Sequence, residues 1–161
     1  MILPPVVLAL PFLVLYKSLA LLDSRVGLIL LYTLMVLPIV IWIMRDQFQG
    51  IPIELEEAAL VDGLGIWGAF MQIVLPIALP GMVAAFILSL VLCWNEYFFA
   101  ALLTSTDAKT LPVMVASQTG SQGINWWSMA ALSSAAILPL VIVAIFLEKY
   151  IIKGMAAGAV K

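Results

Sequence analysis

An all-α, polytopic membrane bundle of about four spans is the fold class this sequence predicts, and three observations carry the prediction. Of 161 residues, 65% are hydrophobic and only 10% charged, whereas ordinary soluble domains carry roughly a quarter charged residues. Mean hydropathy is +1.22. Apolar runs of about 20 residues, the length that a bilayer core demands of a helix, recur along the chain. Residues 1–161 therefore read as one transmembrane domain, broken by one long polar insert at residues 45–81.

The same composition excludes several function classes. Net charge is −2 with no basic patch, so nucleic acid is not an expected partner. Histidine is absent, which removes the commonest general base and metal ligand. The lone Cys93 lies in an apolar run and reads as a packing thiol, since one cysteine makes neither a metal cluster nor an intrachain disulfide. No catalytic residue, metal site or bound cofactor is expected.

The elements follow in order. Met1 to about Tyr16 is apolar and punctuated by Pro4, Pro5 and Pro11. It is short for a span and has no basic flank of the kind that marks a secretory leader. Either this first helix is tilted and kinked, or the chain starts inside a helix; an N-terminally truncated start is the preferred expectation. Asp23, Ser24 and Arg25 form a short polar connection in which Asp23 or Ser24 is expected to cap the next helix. Val26–Met44 is a clear span with Pro38 inside it and Trp42 at an interfacial position.

The polar insert holds four of the nine acidic residues: Glu54, Glu56, Glu57 and Asp62. Pro52 suits a first helical turn, and the glutamates that follow are favoured by the helix dipole. No good capping side chain stands near Ile51, so an outside partner is expected to take up those amides. Leu55, Ala58, Ala59 and Asp62 share one helical face, and the two alanines leave it shallow enough for another backbone to approach. Gly63 is expected to end this helix in a left-handed conformation. A second short helix starts at Gly65–Gly68 and is expected to be interrupted by Pro76 and Pro80.

By itself, such an insert is an ordinary solvated amphipathic loop helix. Its spacing says more. Glu57-Ala58-Ala59, three residues, Gly63, nine residues, then Ile73-x-Leu75-Pro76 match a known pattern at seven positions. From average residue usage, chance produces this on the order of once in 10⁵ such chains. The stretch resembles the EAA loop of permease subunits in bacterial ATP-binding-cassette importers. That resemblance implies a cytoplasmic loop gripped by a separate ATPase, with Glu57, Ala58, Ala59, Asp62, Gly63, Ile73, Leu75 and Pro76 as the coupling residues.

Met82 to about Leu103 is the expected third span, with Trp94, Asn95, Glu96 and Tyr97 near its end. An ionisable group at membrane depth is a functional hypothesis by default. Glu96 serves a substrate pathway, or it lies in interfacial water, or it pairs with a neighbouring helix. The element WNEYFFA, with Thr110-Leu111-Pro112-Val113 and the ending Ala157-Gly158-Ala159-Val160-Lys161, is similar to carbohydrate-type permeases of the same family. In the connection from Thr104 to Trp127, Gln118, Gln122, Asn125, Trp126 and Trp127 are either sugar contacts or solvated amides and interfacial anchors. Ser128 to about Leu147 is the last span, and its small residues Ser133–Ala136 suit close helix packing.

The resemblance implies the subunit of an importer that moves a sugar or polyol across the cytoplasmic (inner) membrane. Its implied partners are an ATPase dimer, a second related permease, an extracytoplasmic binding protein and the lipid bilayer. The chain contains no GxxxxGK[ST] phosphate loop, so ATP is expected to be bound and hydrolysed by the partner. Members of this subfamily usually have six spans, two more than expected here. The charge count leaves orientation open, with four Lys or Arg on the loop side and three opposite; the resemblance places the loop and C-terminus inside. A secondary transporter or channel using Glu96 as an ion or proton site is the competing class, and a non-transporting scaffold the third. ATP dependence without an ion gradient separates the first from the second, and substrate-stimulated ATP hydrolysis excludes the third.

Overall fold

Eight α-helices and one two-residue antiparallel ribbon make up the described part of the computed structural model, which covers residues 5–120 and 123–158. In chain order these are α1 (Pro5–Ser18), α2 (Arg25–Gln49), α3 (Ile53–Val61) and α4 (Ile66–Ala69). A π-helical turn (Phe70–Val74) leads into α5 (Leu75–Trp94), followed by α6 (Phe98–Leu103) and α7 (Leu111–Ala116). Strands β1 (Thr119–Gly120) and β2 (Gly123–Ile124) precede α8 (Trp126–Gly158). The ribbon pairs Thr119 with Ile124 and Gly120 with Gly123.

Among the described residues, three helices are long and apolar enough to cross a membrane: Arg25–Gln49, Ile66–Trp94 and Trp126–Glu148. The fourth expected span, α1, has 14 residues, about 21 Å of helix against a hydrocarbon core of about 30 Å. Helix α2 runs through Pro38 and on to Gln49 without a break.

Two expected boundaries are corrected. Residues 66–81 are not a separate short helix broken by prolines; Ile66–Trp94 is one continuous helical stretch of 29 residues. The physical reason lies in the π-helical turn, where Leu75 N–H bonds to Phe70 O rather than to the carbonyl four residues back. A widened turn directly before Pro76 relieves the crowding that its ring imposes on the preceding turn. Nor does the third span run to Leu103. It stops at Trp94, and Phe98–Leu103 is a helix of its own.

The chain divides into two compact units, residues 1–36 with 91–142 and residues 37–90 with 143–161. In the first, α1 packs on α6 around a core of Tyr16, Leu31, Phe99 and Leu103. Phe12 meets Phe99 edge-on with centroids 5.6 Å apart, a favoured aromatic geometry. Tyr16 carries its hydroxyl into this apolar site and donates it to Gly27 O at 2.9 Å, which answers the cost of burying it.

That approach depends on Gly27 having no side chain. A Cβ there would stand 2.6 Å from the Leu21 carbonyl and 3.1 Å from the Tyr16 ring. Gly27→Ala is therefore expected to destabilise this unit by about 1–3 kcal/mol, seen as a lower melting temperature of the purified subunit. In the second unit the core is Ile51, Val74 and Ala78, with Phe70 packed against it. Phe70 stacks on Trp67 at 5.7 Å, and Gly81 lets the Gln47 side chain lie directly over the α5 backbone.

Candidate functional site

The insert helix α3 is an exposed element held at its two ends. At its start, Pro52 occupies the N-cap with extended backbone and no side chain caps the helix. Glu54 and Glu56 stand in the first turn, where the helix dipole favours negative charge. Just before it, Ile51 is buried beside Val74 and Ala78 and fixes the entry of the chain. At its end, Gly63 has φ +89°. Gly63 N–H bonds to Leu60 O at 3.1 Å and Leu64 N–H to Ala59 O at 3.0 Å, the paired bonds of a Schellman cap.

Of the eight expected coupling residues, Glu57, Ala58, Asp62, Gly63 and Pro76 are exposed, and Ile73 and Leu75 are half-buried. Ala59 is buried. The expected shallow face of Leu55, Ala58, Ala59 and Asp62 is thus divided, because α3 packs against α4 and the π-helical turn. The outward surface is apolar at the α3–α4 turn, with Val61 87%, Ile66 83% and Trp67 71% exposed. Beneath it Phe48, Leu60, Phe70 and Val74, with Glu56, line a cavity of about 280 Å³.

The Trp94–Tyr97 cluster sits in the other unit, and its members do different things. Glu96 accepts from Phe99 N–H at 2.8 Å through Oε1, and from Ala100 N–H and the Tyr32 hydroxyl at 3.0 Å through Oε2. It satisfies the free amides that start α6 and ties that helix to α2. Of the alternatives open for Glu96, pairing with a neighbouring helix is the one its geometry matches. Its carboxylate caps the start of α6, so that Phe98–Leu103 begins as a helix of its own.

Trp94, Asn95 and Tyr97 instead line an open cavity of about 420 Å³, together with Val115 of α7 and Ser133 and Ile137 of α8. The Trp94 indole N–H donates to Ala136 O of α8 at 3.0 Å. Asn95 turns its amide back to Val91 O at 2.8 Å.

The outward connection carries little beyond structure. Asn125 Oδ1 accepts from Ser128 N–H at 3.2 Å and caps α8, and Gln118 bonds to Met114 O. Trp126 and Trp127 are exposed in the first turn of α8, and Gln122 and the end of the chain from Ala159 lie outside the described residues.

Sequence reading missed one feature altogether. Ser24 is the cap of α2, accepting from Gly27 N–H at 3.4 Å, while Asp23 reaches across to residues 105–108. Its carboxylate accepts from the amide and hydroxyl of Ser105 (2.9 and 2.8 Å), the amide and hydroxyl of Thr106 (2.9 and 2.8 Å), and the amides of Asp107 and Ala108 (both 3.1 Å). Asp23 N–H bonds back to Leu103 O at 2.8 Å. These donors, Ser105 foremost and then Thr106, hold the carboxyl far below the usual carboxylate range. Asp23 has φ +51°, a left-handed conformation that aspartate tolerates better than most residues. The only sequence signal was an Asp in one short loop and Ser-Thr-Asp in another.

Comparison with known proteins is consistent with this arrangement. The description "Binding-protein-dependent transport system inner membrane component" matches residues 1–157. The chain is 36% identical over 159 residues to the putative ABC transporter permease protein ORF1 of Streptomyces antibioticus, covering 98% of this chain and 69% of that protein. It is 37% identical over 132 residues to the trehalose/maltose transport system permease protein MalG of Thermococcus litoralis, with 81% and 48% covered. It is 35% identical over 161 residues to the trehalose transport system permease protein SugB of Mycobacterium tuberculosis, with 98% and 59% covered. The chain thus spans about half to two thirds of the length of these relatives. With nearly all of its residues matched, this chain belongs to the family of binding-protein-dependent transport system inner membrane components.

Proposed function

We propose that this chain is part of the membrane subunit of an ATP-driven importer, carrying a carbohydrate or polyol across the cytoplasmic membrane. One observation supports the reading above others: α3 bears Glu57-Ala58, Asp62 and Gly63 outward, on a helix closed by a Schellman cap and carrying no buried residue but Ala59. A helix so little used by its own fold is suited to a partner. In this reading the partner is an ATPase dimer whose closure pulls on α3, and the pull passes through α4 and the π-helical turn into α5. A second permease completes the path, an extracytoplasmic binding protein delivers the sugar, and the 45–81 segment and C-terminus face the cytoplasm. In this reading ATP is bound by the ATPase, and this chain needs no cofactor or metal of its own. The names of relatives that carry trehalose and maltose support the substrate class.

The alternative, gradient-driven flux through Glu96, is disfavoured because both carboxylate oxygens are engaged within the fold. The test is uptake of labelled trehalose, maltose and glycerol by vesicles holding the full-length subunit and its partners. ATP in the ATPase compartment should drive uptake with all ion gradients collapsed. Uptake that follows an imposed gradient and ignores ATP would sink the reading.

Gly63 gives a second check. A Cβ at Gly63 meets nothing within 4 Å, so substitution acts through its positive φ alone. Gly63→Val is expected to cost on the order of 1–3 kcal/mol locally, misdirect α3 and lower uptake and binding-protein-stimulated ATP hydrolysis together. Gly63→Asn, which tolerates a left-handed backbone, should stay close to wild type. Equal coupling in the valine variant and wild type would show that this turn transmits nothing.

A further inference from the structure

The cavity beside the break between α5 and α6 has the chemistry of a ligand site. It measures about 420 Å³, within the range of small-molecule pockets. Two aromatic side chains, Trp94 and Tyr97, form part of its wall, and Trp94 is held in place by its bond to Ala136 O. Three polar side chains share the lining: Asn95, Tyr97 and Ser133. Asn95 commits its amide nitrogen to Val91 O, which leaves its carbonyl oxygen as an acceptor. The hydroxyls of Tyr97 and Ser133 make no hydrogen bond among the described residues, and each can donate and accept. Among the described residues, no charged side chain lines the cavity. Glu96, its neighbour in sequence, is bonded instead to two backbone amides and Tyr32.

We infer that this cavity binds a neutral, polyhydroxylated ligand, with Asn95, Tyr97 and Ser133 meeting its hydroxyl groups and Trp94 presenting an apolar wall to its C–H face. The lining has no charged side chain among the described residues and so offers an anionic or cationic ligand no partner. A lipid chain would use the apolar wall but leave the three polar groups unanswered. The inference rests on the reading of the chain as a sugar importer and adds where the sugar is held. Ser133 and Ala136 then act as small residues that keep the space open.

The test uses the intact importer, with trehalose, maltose and glycerol as probes. Asn95→Leu and Ser133→Val each remove one hydrogen-bonding group, and Ala116→Leu fills the cavity from α7. Each is expected to raise the KM for the transported probe about tenfold, with the yield of assembled complex unchanged. In wild type the probe should change the tryptophan fluorescence, and Trp94→Phe should abolish that change while the four other tryptophans of these 161 residues are kept. If wild type imports a probe and all three variants import it with unaltered KM, the site is wrong and the importer reading stands. If wild type imports none of the probes, the carbohydrate reading fails and the site proposal falls with it. A phospholipid retained by the purified wild-type complex and lost from Ala116→Leu would replace the sugar with an acyl chain.

Discussion

Glu96→Ala is expected to lose the folded subunit itself, not merely its transport. The substitution strips three hydrogen bonds at once and leaves Phe99 N–H, Ala100 N–H and the Tyr32 hydroxyl without their acceptor. An unsatisfied part-buried donor costs about 1–3 kcal/mol, and bonds to a charged acceptor stand at the upper end. With Phe99 and Ala100 in or beside the core of their unit, the total reaches several kcal/mol, a large share of the stability of a typical domain. The measurement is the yield and melting temperature of the complex for Glu96→Ala, Glu96→Gln and Tyr32→Phe. The alanine variant should assemble poorly, the glutamine variant partly, and Tyr32→Phe nearly normally, since it removes one bond of the three. A complex assembled at wild-type yield but dead in uptake would return Glu96 to the substrate pathway.

Asp23→Ala should have the second largest effect. Without the carboxylate, four backbone amides and two hydroxyls of residues 105–108 lose their common acceptor. The connection after α6 then keeps only the backbone bond from residue 23 N–H to Leu103 O as its tie to the α1–α2 turn. Ser105–Asp107 can turn to water, so the change should appear as faster amide exchange over 104–110 and a lower melting temperature, with helix content retained. The pH dependence has a definite sign. Asp23 has a folded pKa far below its unfolded value, so its stabilisation is complete above about pH 3.9. That stabilisation is lost progressively as pH falls below this value toward the folded pKa. The gap in stability between wild type and Asp23→Asn should stay constant from pH 7 to about pH 5 and narrow only below about pH 4. A gap that closes near neutral pH would contradict the assigned bonds.

Much of this fold was legible because bilayer-spanning helices announce themselves by length and hydropathy. The second and last spans start within two residues of their expected limits, while α2 runs on to Gln49 and α8 to Gly158, beyond the expected ends at Met44 and about Leu147. The insert helix was equally legible, because its stop signal is local: Gly63 sits where a left-handed residue must. Errors arose where a local rule met a longer-range one. Pro76 and Pro80 read as breakers, yet the π-helical turn before Pro76 absorbs the mismatch and the helix continues. Ala59 read as part of an outward face, although its small size is what lets α3 settle inward.

Trp94, Asn95, Glu96 and Tyr97 read as one cluster because they are adjacent in sequence. Structure separates Glu96, committed to the amides of α6, from three residues that line a cavity with α7 and α8. The Asp23 clasp joins residues 82–85 positions apart, and nothing in either short loop names the other. Such pairings follow from the packing of α1 against α6, which hydropathy does not encode.

The central claim is that α3 is where the ATPase takes hold, and position 58 tests it most directly. Ala58 is exposed on the outward side of the helix. In a Cys93→Ser background, which removes the one cysteine of these 161 residues, Ala58→Cys can carry a benzophenone maleimide. On illumination of the assembled importer in vesicles, the adduct should join this chain to the subunit that carries the GxxxxGK[ST] loop. Its yield should change when ATP and sugar-loaded binding protein are added together. A labelled position 58 that reacts only with lipid or water, in a complex that still hydrolyses ATP, would contradict the account.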